Sequence, residues 1–163
     1  MDLQNRLTAE LITLPATVNA VDHRRRGYHL EVLLGSDRLR DFALLMRRFD
    51  FYLSFVSAVH LDPDMEIIYQ FASYQEPCRV LARLAAPPDG PVPTISDIFH
   101  GANWHERETW EMFGVDFAGH PFLKPLLLPE DATELKPLRK APPALKTADK
   151  VRRAEEAATS VSE

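Results

Sequence analysis

The sequence predicts an α+β fold, an antiparallel sheet of about five strands with helices on one face, followed by a proline-rich extended C-terminal arm. Three observations carry this expectation. Alternating apolar and polar runs recur between residues 16 and 85, separated by short turns that only antiparallel neighbours can use. One strongly helical repeat, Leu39, Phe42, Ala43, Met46 and Phe49, interrupts them. Ten of the thirteen prolines lie from Pro87 onward, which keeps that half out of a sheet interior.

The elements follow in order. Residues 2–14 form an amphipathic helix: Asp2 can cap it, Leu3, Leu7, Leu11 and Leu14 share a face, and Pro15 ends it. A hairpin comes next, with strands Ala16–Asp22 and Tyr28–Leu34 around the turn His23-Arg24-Arg25-Arg26-Gly27. Gly35-Ser36-Asp37 opens the helix through Phe49. Three strands then cover Phe51–Leu61, Met65–Tyr74 and Cys78–Ala85, divided by Asp62-Pro63-Asp64 and Gln75-Glu76-Pro77. Their inward faces should be Met65, Ile67, Tyr69 and Phe71 on one strand, and Cys78, Val80, Ala82 and Leu84 on the next. A further helix spans Asn103–Phe113, with Asn103 as N-cap, Glu106 completing a capping box and Gly114 as C-terminal stop. The chain thus divides into a sheet domain over 1–86, a segment with a short helix over 87–114, an extended arm over 115–143 and a tail over 144–163. The tail carries four positive and four negative side chains and no aromatic, and reads as a frayed helix or disordered.

Composition narrows the function. The 163 residues carry a formal charge of −5, which argues against nucleic acid as the main partner. Cys78 is the single thiol, so this chain alone can form neither an intramolecular disulfide nor an iron–sulfur or cysteine-based zinc site. The longest stretches without a formal charge are eleven residues, against about 20 for a spanning helix. With no signal-peptide pattern at Met1–Arg6, a soluble, reduced, cytoplasmic product is expected.

No nucleotide-binding glycine loop and no nucleophile elbow is present. The densest polar cluster is His100, His105, Glu106, Arg107, Glu108, Glu111 and His120. It can be read as a metal or acid–base site using His105, Glu108 and His120, or as a helix start whose charges pair among themselves or with a partner. Trp104 and Trp110 suit either interface anchors or core anchors. Cys78 reads as a small buried hydrophobe, and Arg24-Arg25-Arg26 as a solvated tip or an anion contact. The arm holds Phe117, Pro121, Phe122, Leu123, Pro125 and Leu126-Leu127-Leu128 with no period that would bury them locally. It either lies across a second polypeptide or wraps back over its own sheet.

Residues Ala102-Asn103-Trp104-His105-Glu106-Arg107-Glu108-Thr109-Trp110-Glu111-Met112-Phe113-Gly114-Val115, then Gly119-His120-Pro121, resemble the signature of the 30-kDa (C-type) subunit family of the proton-pumping NADH:quinone oxidoreductase, respiratory complex I. The lead-in Val92–Phe99 and the downstream Leu127–Asp131 and Pro137–Lys140 extend the resemblance over roughly residues 92–140. The resemblance implies a non-catalytic peripheral-arm subunit that carries no cofactor, with FMN and Fe–S clusters on partner subunits. Such a protein packs against the quinone-site D-type subunit, near the B-type and I-type subunits, on the cytoplasmic side of the cell membrane. It implies interface or ordering roles for Trp104, Glu106, Arg107, Glu108, Trp110, Phe113 and Gly114 on the helix, and for Gly119, His120, Pro121 and Arg139 along the arm. The equivalent subunit of a membrane-bound hydrogenase or F420H2 dehydrogenase is the related alternative, and a free-standing His/Glu metal-dependent enzyme is the alternative of another class.

Overall fold

The structure is a computed structural model and describes residues 2–86, 90–132, 134–141, 146–147 and 149–154. Its first helix, α1 (Leu3–Leu11), is capped by the Asp2 carboxylate, which accepts the Asn5 N–H. Strand β1 (Ala16–Ala20) leads to a single helical turn, α2 (His23–Arg26), in place of the plain turn expected. Asp22 caps that turn and Gly27, at φ 79°, ends it. Strand β2 (Leu30–Leu34) is followed by a 3-10 turn and the helix α3 (Leu39–Arg48). Strands β3 (Phe51–His60), β4 (Met65–Ser73) and β5 (Arg79–Ala86) complete the sheet.

The sheet order is β1-β2-β5-β4-β3. The β1–β2, β3–β4 and β4–β5 pairs are antiparallel, as their short connections require. The expectation of a wholly antiparallel sheet is corrected at one place: β2 and β5 run parallel. Helix α3 carries the chain to the far edge, so β3 runs in the same direction as β2. Two hairpin reversals then restore that direction in β5 beside β2. A mixed sheet follows from that single crossover.

The alternation places the core. Leu30 and Val32 of β2, Met65, Ile67, Tyr69 and Phe71 of β4, and Val80, Ala82 and Leu84 of β5 are buried in one cluster. Leu3, Leu7 and Leu11 of α1 and Leu39, Phe42, Ala43 and Met46 of α3 cover that face. Each such large side chain contributes about 1.5–3 kcal/mol of burial free energy. On the opposite face Arg83 bonds Glu31 at 2.9 Å and Glu66 at 2.7 Å, and Arg152 reaches Glu66 at 3.1 Å.

Beyond the sheet, β6 (Val92–Pro93) pairs in parallel with β7 (Phe117–Ala118), tying the segment before the last long helix to the segment after it. That helix, α4, spans Ala102–Phe113. Its N-cap is Gly101 with no side-chain bond, so the capping-box expectation is corrected: Asn103 lies inside the helix, and Glu106 turns into the core. Residues 149–154 are helical, while 155–163 lie outside the described residues.

Candidate functional site

Helix α4 is a hub from which acidic and basic side chains leave in different directions. Glu106 and Glu111 are fully buried, and Glu108 is exposed on the outer side. Such burial of charged types needs compensation: Glu111 finds it in three backbone N–H groups, whereas Glu106 has one N–H and one hydroxyl.

Glu111 holds the arm. Its Oε1 accepts the N–H groups of Leu126 and Leu128, both at 3.0 Å, and its Oε2 accepts that of Leu127 at 2.8 Å. Burial pushes this carboxyl up, but the three donors outweigh it and hold it below the ordinary carboxylate value. One helix turn earlier Arg107 does the converse, donating to the Lys124 carbonyl at 3.0 Å and the Pro125 carbonyl at 2.6 Å. The same guanidinium lies 5.9 Å from the Trp104 ring centre and 5.1 Å from that of Phe122. Acid and base together grip five consecutive residues, 124–128, on both donor and acceptor sides.

The arm in turn completes the helix C-terminus, where the last carbonyls of any helix lack intrahelical donors. Leu138 N–H bonds the Met112 carbonyl at 3.0 Å, and Arg139 Nε bonds that of Phe113 at 2.6 Å. Gly114 sits at φ 73°, and a Cβ there would meet Arg139 Nη2 at 3.0 Å. Only glycine satisfies both the left-handed backbone and the guanidinium's approach. Lys136 Nζ stands 4.4 Å from the Trp110 ring centre. Further on, Lys140 N–H donates to His60 Nδ1, and Asp62 N–H to the Lys146 carbonyl.

The described backbone of the arm runs back along its own domain. Val115 and Phe117 enter the core. Leu123 packs partly against it, whereas other apolar side chains stay out: Phe122 is 50% exposed, Leu127 60%, Leu135 67% and Leu138 51%, beside Trp104 at 65%. Over residues 124–128 the moorings are to the arm's backbone, which leaves Leu127 free to face outward. An exposed apolar group of this size is the feature that marks a contact surface.

The expected site residues therefore separate by location. Trp104 lies on the exposed side of α4, Arg107 at the arm junction, Trp110 half-buried against the core and Phe113 within it. Gly119, at φ 79°, and exposed Pro121 flank His120. The His120 ring is buried: Nδ1 accepts the Phe122 N–H at 3.1 Å, and Nε2 lies 3.2 Å from the Asn103 carbonyl. Those two partners assign the neutral tautomer with the proton on Nε2, and burial lowers its pKa in agreement. His105, Glu108 and His120 do not assemble; among the described residues no three His, Cys, Asp or Glu side chains are grouped to hold a metal ion.

Sequence reasoning missed Arg40, Thr94 and Asp97. Arg40 forks onto Asp97 at 2.8 and 2.7 Å and donates to the Thr94 carbonyl at 2.6 Å, joining α3 to the segment after β6. These partners are more than fifty residues apart, and no local pattern announces them. Glu111 was legible as one member of a polar cluster and of the signature spacing, but not as the group that holds the arm.

Comparison with known proteins places this geometry in company. The family described as respiratory-chain NADH dehydrogenase, 30 Kd subunit, matches residues 14–148. The C subunit of NADH-quinone oxidoreductase from Roseiflexus sp. (strain RS-1) is 36% identical over 122 residues, 70% of each chain. The C subunit of F(420)H(2) dehydrogenase from Methanosarcina mazei is 41% identical over 78 residues, 47% of this chain and 49% of that one. The C/D subunit of NADH-quinone oxidoreductase from Erwinia tasmaniensis is 44% identical over 85 residues, 52% of this chain but only 14% of a much longer polypeptide. A chain in the structure of the membrane-bound sulfane sulfur reductase, an archaeal respiratory membrane complex, shares the fold. Its TM-score is 0.73 at 22% identity, covering 95% of this chain and 92% of that one.

Proposed function

The chain belongs to the respiratory-chain NADH dehydrogenase 30-kDa subunit family, and from that premise we propose that it serves as a non-catalytic docking component of a membrane-bound quinone reductase. Its partner is the quinone-site D-type subunit, with the B-type and I-type subunits nearby. The electron path, from NADH through FMN and Fe–S clusters to quinone, runs through those neighbours. No helix of the described residues is long and apolar enough to cross a membrane, and the proposal assigns membrane attachment to the complex.

One observation carries the reading. Glu111 and Arg107 secure the arm by its backbone, and the arm's own Arg139 ties it to the Phe113 carbonyl, while Trp104, Phe122, Leu127 and Leu138 face outward. A stable contact between proteins needs anchors of this type, aromatic and aliphatic groups on a surface held rigid before binding. The Erwinia tasmaniensis relative, whose name joins C and D in one polypeptide, supports the D-type protein as the occupant. A related reading, the corresponding component of an F420H2 dehydrogenase, is favoured by the Methanosarcina mazei relative.

The test is capture of the tagged full chain from detergent-solubilised membranes of its own host, with mass spectrometry of what accompanies it. Recovery of the D-type subunit with a flavin- and NADH-binding protein supports the first reading. Its recovery with an F420-binding protein supports the second. Recovery of the chain without any D-type subunit overturns both.

A further inference from the structure

A buried group unused by the docking account is the Glu106 carboxyl. It points from α4 into the core at 0% exposure, beside the segment after β6. Its donors are few: the Ile95 N–H reaches Oε1 at 2.9 Å, and the Thr94 hydroxyl meets Oε2.

The charged and titratable groups around it are committed elsewhere. From the arm, His120 Nε2 lies 3.9 Å from Oε2, but its proton serves the Asn103 carbonyl and its Nδ1 accepts from Phe122, so the ring is neutral. From α3, Arg40 turns its guanidinium to Asp97 and the Thr94 carbonyl, and its charge still favours ionisation of Glu106, against the larger effect of burial. Asp97, in the segment after β6, is itself negative and opposes ionisation of Glu106. From β4, the fully buried Tyr69 hydroxyl lies within electrostatic reach of the carboxyl and has no hydrogen-bond partner among the described residues. A carboxylate taken out of water without a counter-charge in contact is strongly disfavoured against its neutral form.

The hydroxyls beside it can carry either state. Thr94 Oγ1 is 2.8 Å from Ser96 Oγ and accepts the Ser96 N–H at 3.1 Å. With Glu106 protonated, the acid O–H donates to Thr94, whose own proton turns to Ser96. With Glu106 ionised, Thr94 donates to the carboxylate and Ser96 donates to Thr94. The three groups form a short chain that reverses direction with one proton.

We propose that Glu106, Thr94 and Ser96 form a buried proton-binding site at which Glu106 keeps its proton in mildly acidic solution, where exposed carboxyl groups have lost theirs. The site goes beyond the docking role and does not depend on it. Burial, the first cause, lifts this carboxyl from 4.5 to about 7, against the lowering by Ile95 and Thr94. The raised folded value fixes the sign. Stability from the neutral form is full below about pH 4.5 and is lost as pH rises through about 7. Glu106→Gln, which mimics the neutral acid in shape, removes that dependence. Across the window the wild-type unfolding constant should rise relative to E106Q by roughly two orders of magnitude, tenfold per unit of pKa difference.

The experiment is a pH titration of the full chain labelled with carboxyl 13C-glutamate, read by NMR, with carboxylic C=O infrared absorption as a second readout. One Glu resonance should titrate near neutrality, and a protonated-acid band present at pH 6 should vanish in E106Q. Tyr69→Phe, which keeps the packing but removes the orphan hydroxyl, should retain the titration. If every Glu carboxyl titrates in the ordinary carboxylate range, the proposal is overturned, and that result needs no variant to fold. A near-neutral resonance that persists in E106Q also overturns it.

Discussion

Replacing Glu111 with alanine removes the single side chain that bonds three successive backbone N–H groups of the arm. Hydrogen bonds to a charged group are each worth about 1.5–3 kcal/mol. They do not add fully here, because Leu127 is exposed and water can take over its N–H, whereas Leu126 is half-buried. A loss of about 3–6 kcal/mol follows, equivalent to two such bonds. Glu111→Gln is the informative companion. Its one carbonyl oxygen can still accept from Leu126 and Leu128 as Oε1 does, but its amide now confronts the Leu127 N–H, so about 1.5–3 kcal/mol is lost. Urea unfolding of the full chain measures both, and limited proteolysis should cut the released arm near residues 126–128. The pH dependence supplies a sign. Glu111 is held below its ordinary 4.5, so its stabilisation is present above that value and fades as pH falls through the lower folded pKa. The wild-type advantage over E111Q should therefore shrink in acid. Equal stabilities at pH 7, or an advantage that grows on acidification, would refute the mooring role.

Three further outcomes are expected. Gly114→Ala should cost about 1–2 kcal/mol in thermal or urea unfolding, since the left-handed backbone is strained for a β-carbon and Arg139 must also yield. Arg83→Ala should cost about 1.5–3 kcal/mol, the scale of one hydrogen bond to a charged group, because Glu66 keeps Arg152 when it loses Arg83; urea unfolding again reads it. Arg107→Ala should reduce recovery of the assembled complex by about tenfold, the scale of one lost hot spot, whereas Arg25→Ala, on an exposed turn beside Asp22, should leave recovery unchanged. Equal loss in both would show that α4 had been misread.

Much of the sheet was legible because its period is local. Met65, Ile67, Tyr69 and Phe71 alternate cleanly, and all four are buried. The parallel pairing of β2 with β5 was not legible, because it joins distant residues, Leu30 with Val80, through a crossover that no neighbouring residues encode. At α4 the difficulty was degeneracy: Asn103 with Glu106 three positions on satisfies a capping box in sequence, yet the same Glu serves Thr94 and Ile95 from inside the core. The signature residues stood out as a group, but not their division of labour. Whether a carboxylate pairs with a cation, a hydroxyl or a run of amides depends on what the fold brings past it. The apolar arm shows the same limit. Composition reported unpaired leucines, but only the backbone bonds of Glu111 and Arg107 distinguish a moored display from a buried wrap.

The central claim is that the arm is anchored by its backbone and presents its apolar side chains to the D-type partner. Deleting residues 115–143 would test it poorly, since Val115 and Phe117 belong to the core. The direct measurement is the affinity of the full chain for the D-type subunit of the same organism, by surface plasmon resonance or calorimetry, with Phe122→Asp and Leu127→Asp combined. The account predicts an unchanged urea midpoint, because both side chains are already half or more exposed, together with a complex weaker by about tenfold or more. An affinity equal to that of the wild type, with the fold intact, would contradict it.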